Sequence, residues 1–109
     1  MAGRRRKVVW THQAQSMLDE AIRYIAEDSL TAAQRFLERA LGTASSLATL
    51  SERGRIVPEL DLSTIREVLV QRYRLIYEVQ ETEIEVLAFL HGARDFAKWQ
   101  ESKQEVESE

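Results

Sequence analysis

The chain reads as one α+β domain of order β-α-α-β-β-β, closed by a short C-terminal helix. Three observations predict this. Apolar residues recur at helical spacing between Ala14 and Ala48, whereas from Ile65 to Leu90 they follow the two-residue period of strands. The helices also come as a pair ahead of the strands instead of alternating with them. That arrangement favours a mostly antiparallel sheet, with an N-terminal strand and an α-hairpin packed on it. At 109 residues the chain can build one core with little to spare.

Val8 to Trp10 supplies a short first strand. Thr11 follows as an N-cap, its hydroxyl placed to satisfy an orphan N–H of the next turn. The stripe Ala14, Met17, Leu18, Ala21, Ile22 and Ile25 then makes one apolar helix face. Glu27-Asp28-Ser29 interrupts the pattern, and a second helix presents Ala33, Phe36, Leu37, Ala40, Leu41, Ala44, Leu47 and Ala48. The many alanines let two helix axes approach closely, as in an antiparallel hairpin. Gly42 costs about 1 kcal/mol of helix propensity, which a close helix contact would explain.

Ser51 to Gly54 is a turn, and Pro58 confines a short strand beside it to a sheet edge or an irregular path. Ile65 to Val70 forms the next strand. Tyr73, Leu75, Tyr77 and Val79 alternate with Arg72, Arg74, Ile76 and Glu78, which predicts one well-buried face carrying the tyrosines. Gln80 to Glu83 turns the chain into a strand ending near Leu90, apolar on both faces toward its end and therefore central. Residues 1–97 form the domain, and residues 98–109 are an acidic tail that is helical in part.

Composition excludes several function classes. The absence of cysteine removes disulfides and thiolate metal sites and fits a cytoplasmic protein. Arg4 to Lys7 are followed by only Val8, Val9 and Trp10 before polar residues, too short a run for a signal peptide, and no transmembrane run is expected. The two histidines, His12 and His91, lie in different elements, so neither a metal site nor another cofactor is expected. The net charge is −3, and without the tail basic and acidic residues nearly balance. A broadly cationic, nucleic-acid-clamping surface is thereby unlike this chain, and any direct nucleic-acid binding is weak or indirect. A local arginine patch from Arg53, Arg55, Arg66, Arg72 and Arg74 remains open.

The segments GRIVPEL (54–60), IREVL (65–69), RYRLIYEV (72–79) and EIEVLAFLHGARDF (83–96), behind two helices, carry the functional signal. Their order and spacing resemble the RelE/ParE superfamily of type II toxin–antitoxin toxins from Val8 to Phe96. The near-neutral charge, with no lysine between Lys7 and Lys98, brings the chain closer to the ParE branch than to the strongly basic ribonuclease branch. The ParE resemblance implies a protein toxin that inhibits DNA gyrase, has no catalytic residues, and is neutralised by a ParD-like antitoxin in a hetero-oligomer. It places the tail of that antitoxin in an apolar groove along the α-hairpin and adjacent sheet, with Met17, Ala21, Tyr24, Ile25, Phe36, Leu37 and Ala40 as lining. The segment after the last strand (Arg94, Asp95, Phe96 and Trp99) offers charges and aromatic rings for contact with the target.

The RelE resemblance implies a ribosome-dependent mRNA endoribonuclease instead. RNA cleavage needs a group to take the 2′-hydroxyl proton, another to protonate the leaving oxygen, and cations for the developing phosphorane charge. His91, the cations Arg55, Arg74 and Arg94, and Tyr77 as a base-stacking ring would fill those roles, with Trp99 near the place where that branch has a tyrosine. Each has a plainer reading. His91 ends a strand and can be structural, Asp95 can cap the last helix, Arg74 can be solvated, and Tyr73 and Tyr77 can be packed rings whose hydroxyls are hydrogen-bonded. A third reading is an interaction module that keeps the fold without toxicity.

Overall fold

The computed structural model describes residues 5–108, with the side chains of Ala93, Arg94 and residues 103–108 outside that description. The element order is β1 (Lys7–Trp10), α1 (His12–Ala26), α2 (Leu30–Ser46), β2 (Arg55–Ile56), β3 (Ile65–Val70), β4 (Tyr73–Val79), β5 (Glu83–His91) and α3 (Gly92–Ser108). Among the described residues the strands form one sheet of order β1-β5-β4-β3-β2. All neighbours are antiparallel except β1 and β5, which run parallel, with Val8 opposite Ile84 and Trp10 opposite Val86.

The helices begin where the capping chemistry puts them. Thr11 Oγ1 accepts from the Ala14 N–H at 3.0 Å, and Ser29 Oγ accepts from the Ala32 N–H at 3.1 Å. Ala14, Leu18 and Ala21 of α1 and Ala33, Phe36, Ala40 and Ala44 of α2 are buried. They pack over Val68, Val70, Leu75, Tyr77, Ile84, Val86 and Phe89 from one face of the sheet, forming the main core. Leu41, predicted to be interior, is 45% exposed. No heavy atom outside its own helix lies within 4 Å of a Cβ added at Gly42, so close packing does not explain that glycine.

The opposite sheet face is also covered, contrary to the one-sided burial expected of β4. Helix α3 turns back at Gly92, whose φ of +82° suits glycine, and lays Phe96 and Trp99 against Val57, Ile65, Ile76, Ala88 and Leu90. Ile76, expected on the less buried face, has no exposed surface. Two-sided coverage also explains why β5 is apolar on both faces in its second half: it lies between β1 and β4 and under both helical layers.

β2 is two residues long and sits at the sheet edge, just before Pro58, as a strand beside a proline must. Its approach is pinned from the core. The Tyr77 hydroxyl donates to the Ser51 carbonyl at 2.8 Å and accepts from the Gly54 N–H at 2.9 Å. Gly54 is obligatory there, because a Cβ would collide with the Glu67 carbonyl and come within 2.8 Å of that hydroxyl.

Candidate functional site

At the end of the sheet where β4 begins and β5 finishes, α1 and α3 diverge and leave an open groove of about 970 Å³. One wall is α1, with Met17, Ala21, Tyr24 and Ile25, and the other is α3, with Asp95, Lys98 and Trp99. The floor is aromatic. Tyr73 and Phe89 stack at 5.0 Å, and Phe36 meets both edge-on from beneath, at 5.2 and 5.8 Å. The imidazole of His91 lies 4.9 Å from the Tyr73 ring. Met17 closes the side of the floor, its sulfur accepting from the Phe89 N–H at 3.4 Å. Burial, then the nearby Asp95 and Tyr24, push the Tyr73 phenol above its ordinary pKa, so it stays neutral.

Of the seven residues expected to bind an antitoxin, Met17, Tyr24 and Ile25 line this groove with accessible surface, and Ala21 borders it but is buried, 4% exposed. Tyr24 is the most accessible, at 71% exposure. Phe36 and Ala40 are corrected to core residues, 2% and 0% exposed, because the sheet covers the α2 face that carries them. Leu37 packs at the other side of the hairpin, in a smaller depression with Val8, Trp10, Leu18 and Leu41. Of the residues expected to meet a target, Phe96 and Trp99 are each only 4% exposed and pack edge-to-face at 5.5 Å, so they hold α3 in place instead of offering free rings. Asp95 lies within the first turn of α3, not at the capping position, and there accepts from the His91 N–H at 3.1 Å, near the positive end of the helix. The Arg94 side chain lies outside the described residues.

Of the five residues that an RNA-cleaving centre would use, the four whose side chains are described, Arg55, Arg74, Tyr77 and His91, do not converge. His91 sits opposite Tyr73 in the β4–β5 register and shares its face, so Arg74, the next residue, points to the other side. Tyr77 has no exposed surface and cannot stack on a base. Burial pushes its phenol above its usual pKa as well.

Arg74 is not solvated but clamped. Its Nε donates to Glu67 Oε1 at 2.7 Å, and its two terminal nitrogens donate to Glu59 at 3.0 and 2.8 Å. Arg55 Nε takes the other Glu67 oxygen at 2.7 Å, and the Phe96 ring lies 4.9 Å from the centre of the Arg74 guanidinium. Hydrogen bonding from Arg74 holds the Glu59 carboxyl below its ordinary value. The remaining arginines go elsewhere: Arg66 to the Gly54 carbonyl, Arg53 to Ser46, and Arg72 to the groove rim, so the five do not form one patch.

Glu67 escaped the sequence reading, although a signal existed. It stands between Ile65 and Leu69 on a strand, and a carboxylate on a face that also carries Ile65 requires a cation. The contribution of α3 to the groove had no such signal.

A family model described as ParE toxin of type II toxin-antitoxin system, parDE, matches residues 8–96, from the first strand through Phe96. The chain belongs to the ParE toxin family. This ParE-family toxin is 37% identical over 89 residues to a protein named Toxin RelE2 from Caulobacter vibrioides, a match covering 81% of the chain and 97% of that relative. Its fold is shared with a solved structure titled "Chromosomal ParDE TA system from P. aeruginosa", with a TM-score of 0.65 at 17% identity, covering 79% of this chain and 95% of that one. The resemblance drawn from the four strand-region motifs thus holds at the level of the RelE/ParE superfamily of type II toxins. Among its described residues, no helix is long and apolar enough to cross a membrane, and no group of three or more His, Cys, Asp or Glu side chains could hold a metal ion.

Proposed function

We propose that this ParE-family toxin acts in the cytoplasm by binding DNA gyrase, cleaves no RNA itself, and is neutralised by a ParD-like antitoxin. The observation that carries the mechanism is the pairing of Arg55 and Arg74 through Glu67, with Arg74 also held by Glu59. A ribonuclease of this fold would need those guanidinium groups for the phosphorane charge. Here they are matched by two carboxylates, and Tyr77 is in the core. Poisoning a protein target requires no such centre.

The groove between α1 and α3 supports the antitoxin part of the reading. An amphipathic helix that folds on binding would set its apolar anchors along Met17, Ala21, Tyr24 and Ile25, over the Tyr73–Phe89 floor. Glu20, Arg72, His91, Asp95 and Lys98 form a polar rim around that strip.

Purified toxin is expected to reduce gyrase supercoiling or to accumulate linear DNA, and His91→Ala should inhibit as well as the parent. Messenger RNA on translating ribosomes, incubated with the same preparation, should stay intact. Codon-positioned cleavage that vanishes in His91→Ala or Arg74→Ala, with gyrase untouched, would replace this reading by the RelE-like ribonuclease.

A further inference from the structure

The end of the sheet opposite the groove carries cations that neither site above uses. There β4 finishes at Val79, paired with Ile84, whereas the groove lies at the Tyr73–His91 end. Arg66 stands opposite Tyr77 in the β3–β4 register and so belongs to the hairpin side of the sheet, away from Arg74.

Arg6 and Arg66 line one open depression of about 460 Å³ together with Ser51, Glu52, Ser63 and Thr64. Both guanidinium groups are fixed by neutral acceptors. Arg6 donates through Nε to the Gln80 carbonyl at 2.8 Å and through one terminal nitrogen to Ser51 Oγ at 3.2 Å. Arg66 donates to the Gly54 carbonyl at 2.8 Å. A carbonyl orients a guanidinium without cancelling its charge, unlike the carboxylates that hold Arg74. Glu52, the carboxylate of this depression, is 3.6 Å from Arg66 and its side chain is 80% exposed. Among the described residues no carboxylate pairs with Arg6. Positive charge is therefore left over, and each guanidinium keeps N–H donors that these hydrogen bonds do not use.

That surplus selects an anion, and the layout of the donors selects phosphate. They come from three segments: the lead into β1, the Ser51 turn, and the stretch from Ser63 to Arg66 that opens β3. A carboxylate offers two oxygens in one plane, which a single guanidinium fork satisfies. A phosphate offers oxygens in a tetrahedron, to donors on several sides. Arg6 also lines an adjoining depression with Arg5, Lys7 and Ser45, and no carboxylate lines it. The positive field thus continues past a first phosphate, which suits a nucleic-acid backbone better than a free ion.

We propose that Arg6 and Arg66 hold a backbone phosphate of a nucleic-acid strand, with Arg5 and Lys7 beside the next one. A footprint of about two phosphates is weak and local, in keeping with the near-neutral charge of the domain. The site stands apart from the antitoxin groove, and its occupation does not depend on gyrase being the target.

NMR of the full chain would follow the Arg6 and Arg66 Nε–Hε resonances during titration with decathymidylate, inorganic phosphate and an N-acetylated hexaglutamate peptide at fixed ionic strength. Decathymidylate should shift both saturably, with a half-saturation that rises with salt and lies about tenfold or more below that of inorganic phosphate. Arg66→Gln should raise that half-saturation about tenfold, and Glu52→Gln, an exposed change that spares the fold, should lower it about threefold. Arg5→Gln should weaken decathymidylate and leave inorganic phosphate unaffected. Hexaglutamate binding as tightly as decathymidylate overturns the proposal, as does the lack of a saturable response in the folded parent. An unchanged half-saturation in Glu52→Gln overturns it whether or not Arg66→Gln folds. Inorganic phosphate saturating at the same concentration as decathymidylate overturns the nucleic-acid assignment and leaves a site for the free ion.

Discussion

Glu67 and Arg55 form a single ion pair in which the two partners have very different surroundings. The Glu67 side chain is 2% exposed, whereas that of Arg55 is 70% exposed and can be hydrated when released. Replacing Glu67 by Ala should therefore lower stability by about 3 kcal/mol, because Arg74, only 13% exposed, loses its buried carboxylate. Replacing Arg55 by Ala should cost less than about 1 kcal/mol. Urea unfolding of both variants measures the difference, and equal losses would contradict it. Glu59 adds a pH signature. Its folded-state pKa lies below the ordinary 4.5, so its contribution is complete above that value and disappears as pH falls through the lowered one. The stability gap between the parent and Glu59→Gln should be under about 1 kcal/mol, flat from neutral pH to about pH 5, and absent in stronger acid. A gap that widens on acidification would reverse the assigned sign.

The helical elements divide their apolar residues between two tasks. Both faces of the hairpin look alike in composition, yet α2 turns Phe36 and Ala40 into the core while α1 keeps Tyr24 outside, on the groove wall. Tyr24→Glu should leave the circular dichroism spectrum unchanged and weaken binding of a ParD-like antitoxin by about tenfold or more, as loss of a central aromatic anchor does. Phe36→Glu places an unpaired charge beneath Tyr73 and Phe89 and should cost several kcal/mol, enough to unfold a small domain. A titration and a melting curve on each variant separate the cases. Unimpaired binding of folded Tyr24→Glu would remove that wall from the interface.

At the scale of the whole molecule, two layers of helix cover a sheet whose two faces carry different features. The α-hairpin side and the sheet end bear the groove, and the α3 side bears the arginine–glutamate cluster. Regulated expression in a permissive bacterium should halt growth, and co-expression of the antitoxin should restore it. Normal growth with folded, soluble protein would favour an interaction module that has kept the fold and lost its toxicity.

The succession of elements was legible because local periodicity and caps determine it. Thr11 starts a helix through its own hydroxyl, and Tyr73, Leu75 and Tyr77 mark a strand whatever lies above them. The motifs from Gly54 to Phe96 sufficed for the superfamily for the same reason, since order and spacing along the chain are properties of the sequence. What a side chain does depends on which surface closes over it, and that is not local. Only the return of α3 buried Ile76, Phe96 and Trp99 and formed the second wall of the groove. Only the alignment of β2, β3 and β4 brought Arg55, Glu67 and Arg74 together on one face and Glu59 within their reach. The free energy of an arginine differs by several kcal/mol between water and a dry ion pair. Whether Arg74 is a solvated charge, a catalytic cation or a clamped one was therefore decided by tertiary structure.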